Sequence, residues 1–309
     1  MIFLFLCLIL LFSPPINAFK PERPVILIHG IGFRGLRAWQ SPSLTKYLGL
    51  SNRGMADFLV ESSGYTLGKD LFIHVYDTME PIEHIASEFA VALDGYLQKA
   101  GASEVDLICF SMGGLVARTY LNNHVNPPVV NLITIATPHK GSYWVGVAEN
   151  VKPQADDWPF RILGEFRDKV GREYESRETY RFFDLVYRFG EYPSIRQMQP
   201  GGEFMQKLET YYISSQINVT CIAGYVLPSF DSAFVPESFV DLISEHFGPG
   251  DLVVPLESAL WERADQKFIV KGRPDITWHT VLPYNTEVQS IVKYILSRNY
   301  MFNKLKSIN

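Results

Sequence analysis

The chain has 309 residues, 47% of them apolar, 20% charged and 14% aromatic, and it carries a net charge of -5 at neutral pH. That length and apolar content suffice to bury one large core and require no second domain. The acidic balance and the lack of any long basic run exclude the electrostatic footprint of a nucleic-acid partner.

Residues Ile2 to Phe12 form an apolar stretch, followed by Ser13-Pro14-Pro15 and a small residue at Ala18. This pattern is that of a secretory leader and is too short to cross a bilayer. An exported protein cleaved near Ala18 is therefore expected, secreted or delivered to a periplasmic or lumenal space, and residues 1–18 are set aside from the fold.

The run Pro24-Val-Ile-Leu-Ile28 reads as a strand buried on both faces, and it ends in His29-Gly30-Ile31-Gly32. A second strand is expected over Leu71 to Tyr76. Apolar residues at Ile82, Ile85, Phe89, Leu93 and Leu97 then predict a helix to Lys99. Further strands are expected at Val105 to Phe110, Val129 to Ala136, Ile217 to Val226 and Gln266 to Val270. The last helix, Thr286 to Leu296, places Val288, Ile291, Val292 and Ile295 on one face, ahead of a solvated tail with Lys304 and Lys306. Alternation of this kind predicts an α/β fold with a mostly parallel sheet, right-handed crossovers and helices on both faces.

The rhythm breaks between Lys140 and Ser215, where aromatics interleave with charge, as in Phe160-Arg-Ile-Leu-Gly-Glu-Phe166. An inserted helical cap at about 140–215 is expected within a single domain of residues 19–309, either as fixed amphipathic helices or as a mobile lid over the catalytic end of the sheet. Asn218-Val219-Thr220 matches a glycosylation sequon, but its place in a predicted buried strand argues against modification. Cys109 and Cys221 fall on strands two apart in the implied order, about 9–10 Å at ordinary strand spacing, which is too far for a disulfide. Two buried free thiols are expected.

Chemistry concentrates at Val105-Asp-Leu-Ile-Cys-Phe-Ser111-Met-Gly-Gly114. A serine between a buried strand and a helix is forced outward at the strand's carboxyl end, beside the partly positive amides of the first helical turn. A helix cap alone would also accept a serine, but the glycines after Ser111 allow the sharp turn and close backbone approach that a nucleophile's bend requires. A serine hydroxyl needs a base, an acid to orient that base, and donors for the oxyanion. Phe247-Gly-Pro-Gly-Asp251 supplies an acid and Asp275-Ile-Thr-Trp-His279 a histidine. Asp231 and Asp275 are the competing acids and His246 the competing histidine, whereas His139 and Lys140 read as part of a turn after the fourth strand.

The order Ser111, Asp251, His279 is that of α/β-hydrolases, and the sequence resembles the lipase and esterase branch of that superfamily. The resemblance rests on Val-Ile-Leu-Ile-His29-Gly30, Cys-Phe-Ser111-Met-Gly-Gly114, Thr137-Pro-His-Lys-Gly141-Ser142, Gly250-Asp251-Leu-Val-Val-Pro255 and His279, and it covers most of the mature chain. It implies an α/β-hydrolase fold with Ser111 as nucleophile, His279 as general base and Asp251 as its orienter. It further implies an oxyanion hole from the backbone amides of Ile31 and Met112, with His29 and Gly30 shaping the loop. Cys109 stands where the family has a glycine, and Phe110 stands where a histidine is usual. An aromatic at that second position is similar to what palmitoyl thioesterases carry, which keeps thioesters open.

Gly30-Ile-Gly32-Phe-Arg-Gly35 also fits a dinucleotide fingerprint. That motif requires a clean helix and an acid ending the next strand. Instead Leu36-Arg-Ala-Trp-Gln-Ser-Pro42 follows, and Asp57 sits amid Asn52-Arg-Gly-Met-Ala. No Cys or His cluster has zinc spacing, Glu83-His84 with Glu88 reads as a helix's polar face, and no residues fix a structural calcium of the kind some similar lipases carry. The sequence thus predicts a secreted serine hydrolase of acyl-lipid carboxylic esters that needs no cofactor. Its partners are an acyl ester or lipid and, through the cap, transient contact with a lipid surface. A palmitoyl-type thioesterase and a non-catalytic binding module are the alternatives.

Overall fold

The structure, a computed structural model, describes residues 22–31, 39–40, 53–143, 145, 192–227, 240–241, 244–245 and 248–306. The predicted leader, most of the aromatic insertion, Asp231 and His246 lie outside the described residues.

Among the described residues there are six strands: β1 (Val25–Ile28), β2 (Leu71–His74), β3 (Val105–Phe110), β4 (Val129–Ile135), β5 (Asn218–Val226) and β6 (Gln266–Gly272). They form one sheet in the order β2-β1-β3-β4-β5-β6, and every pairing is parallel. Among the described residues, the α-helices of five residues or more are α1 (Met55–Ser63), α2 (Ile82–Ala100), α3 (Met112–Asn123), α4 (Pro193–Gln197), α5 (Glu203–Thr210) and α6 (Thr286–Lys306). Asp57 falls in the first turn of α1 rather than at a strand end, which removes the acid a dinucleotide site would need.

Strand residues alternate between two cores because successive side chains leave opposite faces of a sheet. Ile26, Ile28, Leu107, Cys109 and Leu132 pack with Ile85 and Phe89 of α2 and Leu115 and Val116 of α3. Val25, Leu27, Ile108, Phe110 and Ile133 pack with Met55 and Leu59 of α1 and Val288 and Val292 of α6. The last helix runs ten residues beyond the apolar face that announced it, to Lys306. A polar continuation carries no periodic signal, although nothing in it stops a helix.

Cys109, Thr134 and Cys221 occupy one row across β3, β4 and β5, and both cysteines are buried and free. Asn218, expected to be buried, is exposed as the first residue of β5, and burial begins only at Val219. Asp106 is a charge that the apolar run of β3 conceals. Its carboxylate accepts from Arg23 Nε at 3.1 Å and Asn131 Nδ2 at 2.6 Å, a buried pairing at the amino end of the sheet.

The chain leaves β1 outward to β2 and returns to β3 on the other flank of β1. At such a reversal the loops leaving adjacent carboxyl ends diverge and open a crevice. The loop His29–Ile31 and Ser111 stand at this reversal.

Candidate active site

Ser111 joins β3 to α3 at φ 53° and ψ -129°, a strained conformation for a residue with a side chain, costing about 1–3 kcal/mol. Several contacts hold it there. Its N–H donates to the Ile135 carbonyl at 2.8 Å, and its own carbonyl accepts from the Gly114 N–H at 3.0 Å and the Thr137 hydroxyl at 2.9 Å. The bend also needs missing side chains. A Cβ at Gly113 would stand 2.5 Å from the Ile28 carbonyl oxygen, and one at Gly30 would stand 2.7 Å from Ser111 Cβ. Cys109, in place of the family's glycine, is accommodated with its side chain fully buried in the α2/α3 core.

His279 opens a 3-10 turn (His279–Tyr284) beyond β6. Its Nε2 lies 2.8 Å from Ser111 Oγ and its Nδ1 lies 2.7 Å from Asp251 Oδ2. With the carboxylate ionised, Nδ1 carries the proton and donates, leaving Nε2 as the acceptor of the serine proton. Asp251 is fully buried. Its second oxygen accepts from the N–H groups of Val253 at 3.0 Å and Val254 at 2.7 Å, and the Asp251 carbonyl accepts from the His279 N–H at 3.1 Å. The competing acid Asp275 is engaged instead by Arg273 at 2.8 Å. Phe110 tilts against the His279 imidazole with centroids 5.0 Å apart, and Trp39 meets Phe110 edge-on at 6.5 Å.

Met112 is the first residue of α3, so its amide has no partner within the helix. Ile31 follows Gly30, whose backbone rests against the Ser111 side chain. The structure thus brings Ser111, His279 and Asp251 into one hydrogen-bonded chain and seats the Ile31 loop and the Met112 amide beside it. In chemical terms, the serine proton can pass to Nε2 while the carboxylate stabilises the imidazolium that forms.

The turn after β4 does more than redirect the chain. Thr137 bonds the Ser111 carbonyl, and the Ser142 hydroxyl donates to the Val253 carbonyl at 2.9 Å, so one loop braces both the serine and the Asp251 turn. His139, within it, is fully buried. Its Nδ1 is 3.3 Å from Arg118 Nη1, and its Nε2 is 3.1 Å from Thr134 Oγ1. Its ring stacks on Trp261 at 5.5 Å, and Arg118 lies over the same indole at 4.1 Å. Arg118 also donates to the carbonyls of His139 and Leu208 and to Glu209 of α5. Burial, then the Arg118 charge, holds His139 well below the ordinary imidazole range. This cluster escaped the sequence reading because its members are scattered from residue 118 to 261, although Thr137–Ser142 did stand out as a motif.

A parallel sheet with a strained serine at the β3/α3 bend and an acid and a histidine on later loops defines an α/β-hydrolase fold. Comparison with solved structures agrees. Bacillus licheniformis lipase BlEst2 in its mature form superposes with a TM-score of 0.61 at 20% identity, covering 92% of this chain and 94% of that one. EstA from Clostridium botulinum gives 0.51 at 13% identity, covering 88% and 85%. The palmitoyl protein thioesterase family matches residues 24–177, and palmitoyl-protein thioesterase 3 of Dictyostelium discoideum is 30% identical over 260 residues, 81% of this chain and 80% of that protein. The chain belongs to the palmitoyl protein thioesterase family.

Proposed function

We propose that this protein hydrolyses long-chain acyl thioesters, with Ser111 as nucleophile, His279 as general base and acid, and Asp251 as the residue that orients His279. The observation that carries the catalytic part is the continuous chain Ser111 Oγ, His279, Asp251 at 2.8 and 2.7 Å. Family membership carries the thioester.

Ser111 Oγ attacks the acyl carbonyl as its proton moves to His279 Nε2, and the oxyanion rests on the amides of Ile31 and Met112. The carbon–sulfur bond breaks and the thiolate leaves, taking the proton from His279. Water, activated by the same nitrogen, then releases the fatty acid and restores Ser111. A thiolate is a weak base, with a pKa of about 8.5 for a cysteine. Its departure therefore asks less of His279 than an alkoxide's would.

Cleavage of carboxylic esters is the second reading, since His279 Nε2 is equally placed to protonate a departing alkoxide. Export with removal of residues 1–18, a cap formed by the insertion, and contact of that cap with a lipid surface belong to the same proposal.

The test is a matched pair, a palmitoyl thioester and the corresponding oxygen ester, assayed with the purified mature protein and with Ser111→Ala. The thioester is expected to be cleaved with the higher kcat/KM, and both activities are expected to vanish in the variant. Preference for the oxygen ester would move the assignment to the lipase reading. Turnover that survives Ser111→Ala would remove the nucleophile.

A further inference from the structure

The loop that carries the Ile31 amide is gripped from outside the triad by the side chain of Tyr76, just past the end of β2. Its hydroxyl donates to the His29 carbonyl, and its ring stacks on the His29 imidazole with centroids 4.3 Å apart and planes at 13°. The His29 ring in turn donates from Nδ1 to the Gly30 carbonyl at 2.8 Å.

Those contacts act on two consecutive peptide planes. The His29 carbonyl belongs to the plane shared with the Gly30 N–H, and the Gly30 carbonyl belongs to the plane that carries the Ile31 N–H. In a planar trans peptide the C=O and N–H point in opposite directions. Drawing the Gly30 carbonyl to His29 Nδ1 therefore turns the Ile31 N–H to the other side of the plane. Gly30 alone would leave that plane loosely set, because a residue without Cβ has the widest choice of backbone angles.

We propose that Tyr76 is a positioning residue for the oxyanion hole, acting through His29 to fix the peptide that presents the Ile31 amide. This inference rests on the catalytic role proposed for Ser111. Its surroundings suit the task. Burial raises the Tyr76 hydroxyl well above its ordinary range, so it remains a donor at any working pH. Burial also pushes His29 down to about 4, which keeps the ring neutral. The His29 Nε2 is buried without a partner among the described residues, so the single proton belongs on Nδ1, where the Gly30 carbonyl receives it. On the far side of the cluster, the His74 ring stacks with Tyr76 at 5.6 Å and meets Phe89 edge-on at 5.1 Å, tying the tyrosine to the α2 core.

Tyr76→Phe keeps the stacked ring and removes only the hydroxyl. Three quantities decide the outcome: kcat and KM on a palmitoyl thioester, the fraction of sites titrated by an alkyl fluorophosphonate, and the inhibition constant of a long-chain trifluoromethyl ketone, whose adduct with Ser111 places an oxyanion in the hole. Outright loss of one oxyanion donor costs about 10²- to 10³-fold in kcat. Misaiming one is expected to cost roughly 10- to 100-fold, with KM nearly unchanged. The ketone's affinity should weaken by the factor lost in kcat/KM, and the titrated fraction should stay at the wild-type level. Unchanged kcat overturns the inference. So does a rate loss matched by fewer titrated sites, or one that leaves ketone affinity intact, since either would make Tyr76 merely structural. Ser111→Ala, run alongside, separates the two proposals: activity surviving there defeats the catalytic reading, whereas a Ser111-dependent enzyme indifferent to Tyr76→Phe defeats only this one.

Discussion

Among the described residues, two buried histidines each hold Nε2 against a hydroxyl, His279 at 2.8 Å from Ser111 and His139 at 3.1 Å from Thr134. They differ in what meets Nδ1. For His279 it is the Asp251 carboxylate at 2.7 Å, and for His139 it is the Arg118 guanidinium at 3.3 Å. A carboxylate can only accept, so His279 carries its proton on Nδ1 and its Nε2 is left to accept from the Ser111 hydroxyl. A guanidinium can only donate, so His139 accepts at Nδ1 and its Nε2–H donates to Thr134 Oγ1. The direction of the hydrogen bond to the hydroxyl is reversed.

The charges reverse as well. An acidic side chain faces His279, whereas a cationic one faces His139, and burial with Arg118 holds His139 well below the ordinary imidazole range. Arg118 itself is pushed down to about 10 by burial and stays cationic at neutral pH. A buried histidine beside a hydroxyl is therefore not enough to make a base; the sign of the charge on its far nitrogen decides whether the pair can activate an oxygen or only brace a loop.

The largest effect should come from removing the reactive side of this comparison. His279→Ala and Ser111→Ala are each expected to lower kcat on a palmitoyl thioester by a factor on the order of 10⁵ to 10⁶, and the double variant should fall no further, because the two act as a unit. Single-turnover assays read both, and additive losses would contradict a shared proton path. Asp251→Asn keeps the shape and removes the charge, which should cost about 10⁴-fold in kcat. If near-wild-type activity persists, the carboxylate's sign is not what distinguishes the two histidines.

On the other side, Arg118→Met should appear in stability rather than rate. Leaving the carbonyls of His139 and Leu208 without their donor is expected to cost about 2–4 kcal/mol in urea unfolding. The rate per fluorophosphonate-titrated site should stay within roughly a factor of three. A hundredfold loss per titrated site would give the braced loop a direct catalytic part.

Per histidine and per pH unit, the smallest effect concerns the histidines kept neutral. Burial pushes both His29 and His74 down to about 4, and His139 is lowered too. The unfolded chain, with ordinary histidines, takes up protons below about pH 6.5 that the folded chain refuses. Stability is thus full above that pH and falls as the pH drops toward 4, by at most about 1.4 kcal/mol per pH unit per histidine. Urea midpoints at pH 7, 6 and 5 should show the decline, and His74→Gln should flatten it. An unaltered slope would remove His74 from the neutral set.

Much of the architecture was legible in the chain. Strand positions came from continuous apolar runs, and the helices over Ile82–Ala100 and from Thr286 came from their apolar spacing, because burial on two sheet faces or one helix face leaves a local periodic mark. Ser111 was legible for a related reason, since a bend between a buried strand and a helix must be written in adjacent residues. Asp251 and His279 needed the order of the loops and the resemblance to a family, as each alone is an acid or a histidine in a turn.

Other features left no local mark. Asp106 hides in an apolar strand because its partners Arg23 and Asn131 are distant in sequence. Tyr76 looked like the end of a strand, yet it lies beyond β2 and grips the loop after β1. His139 looked like part of a turn. Seven histidines are visible in the sequence, but whether one meets a carboxylate or a guanidinium depends on which chain segments the sheet order brings together. Periodicity is set by neighbours a few residues apart and can be read from the chain. The charge facing a buried imidazole arrives from residues 28 positions away for His279 and 21 for His139, and only the folded sheet determines it.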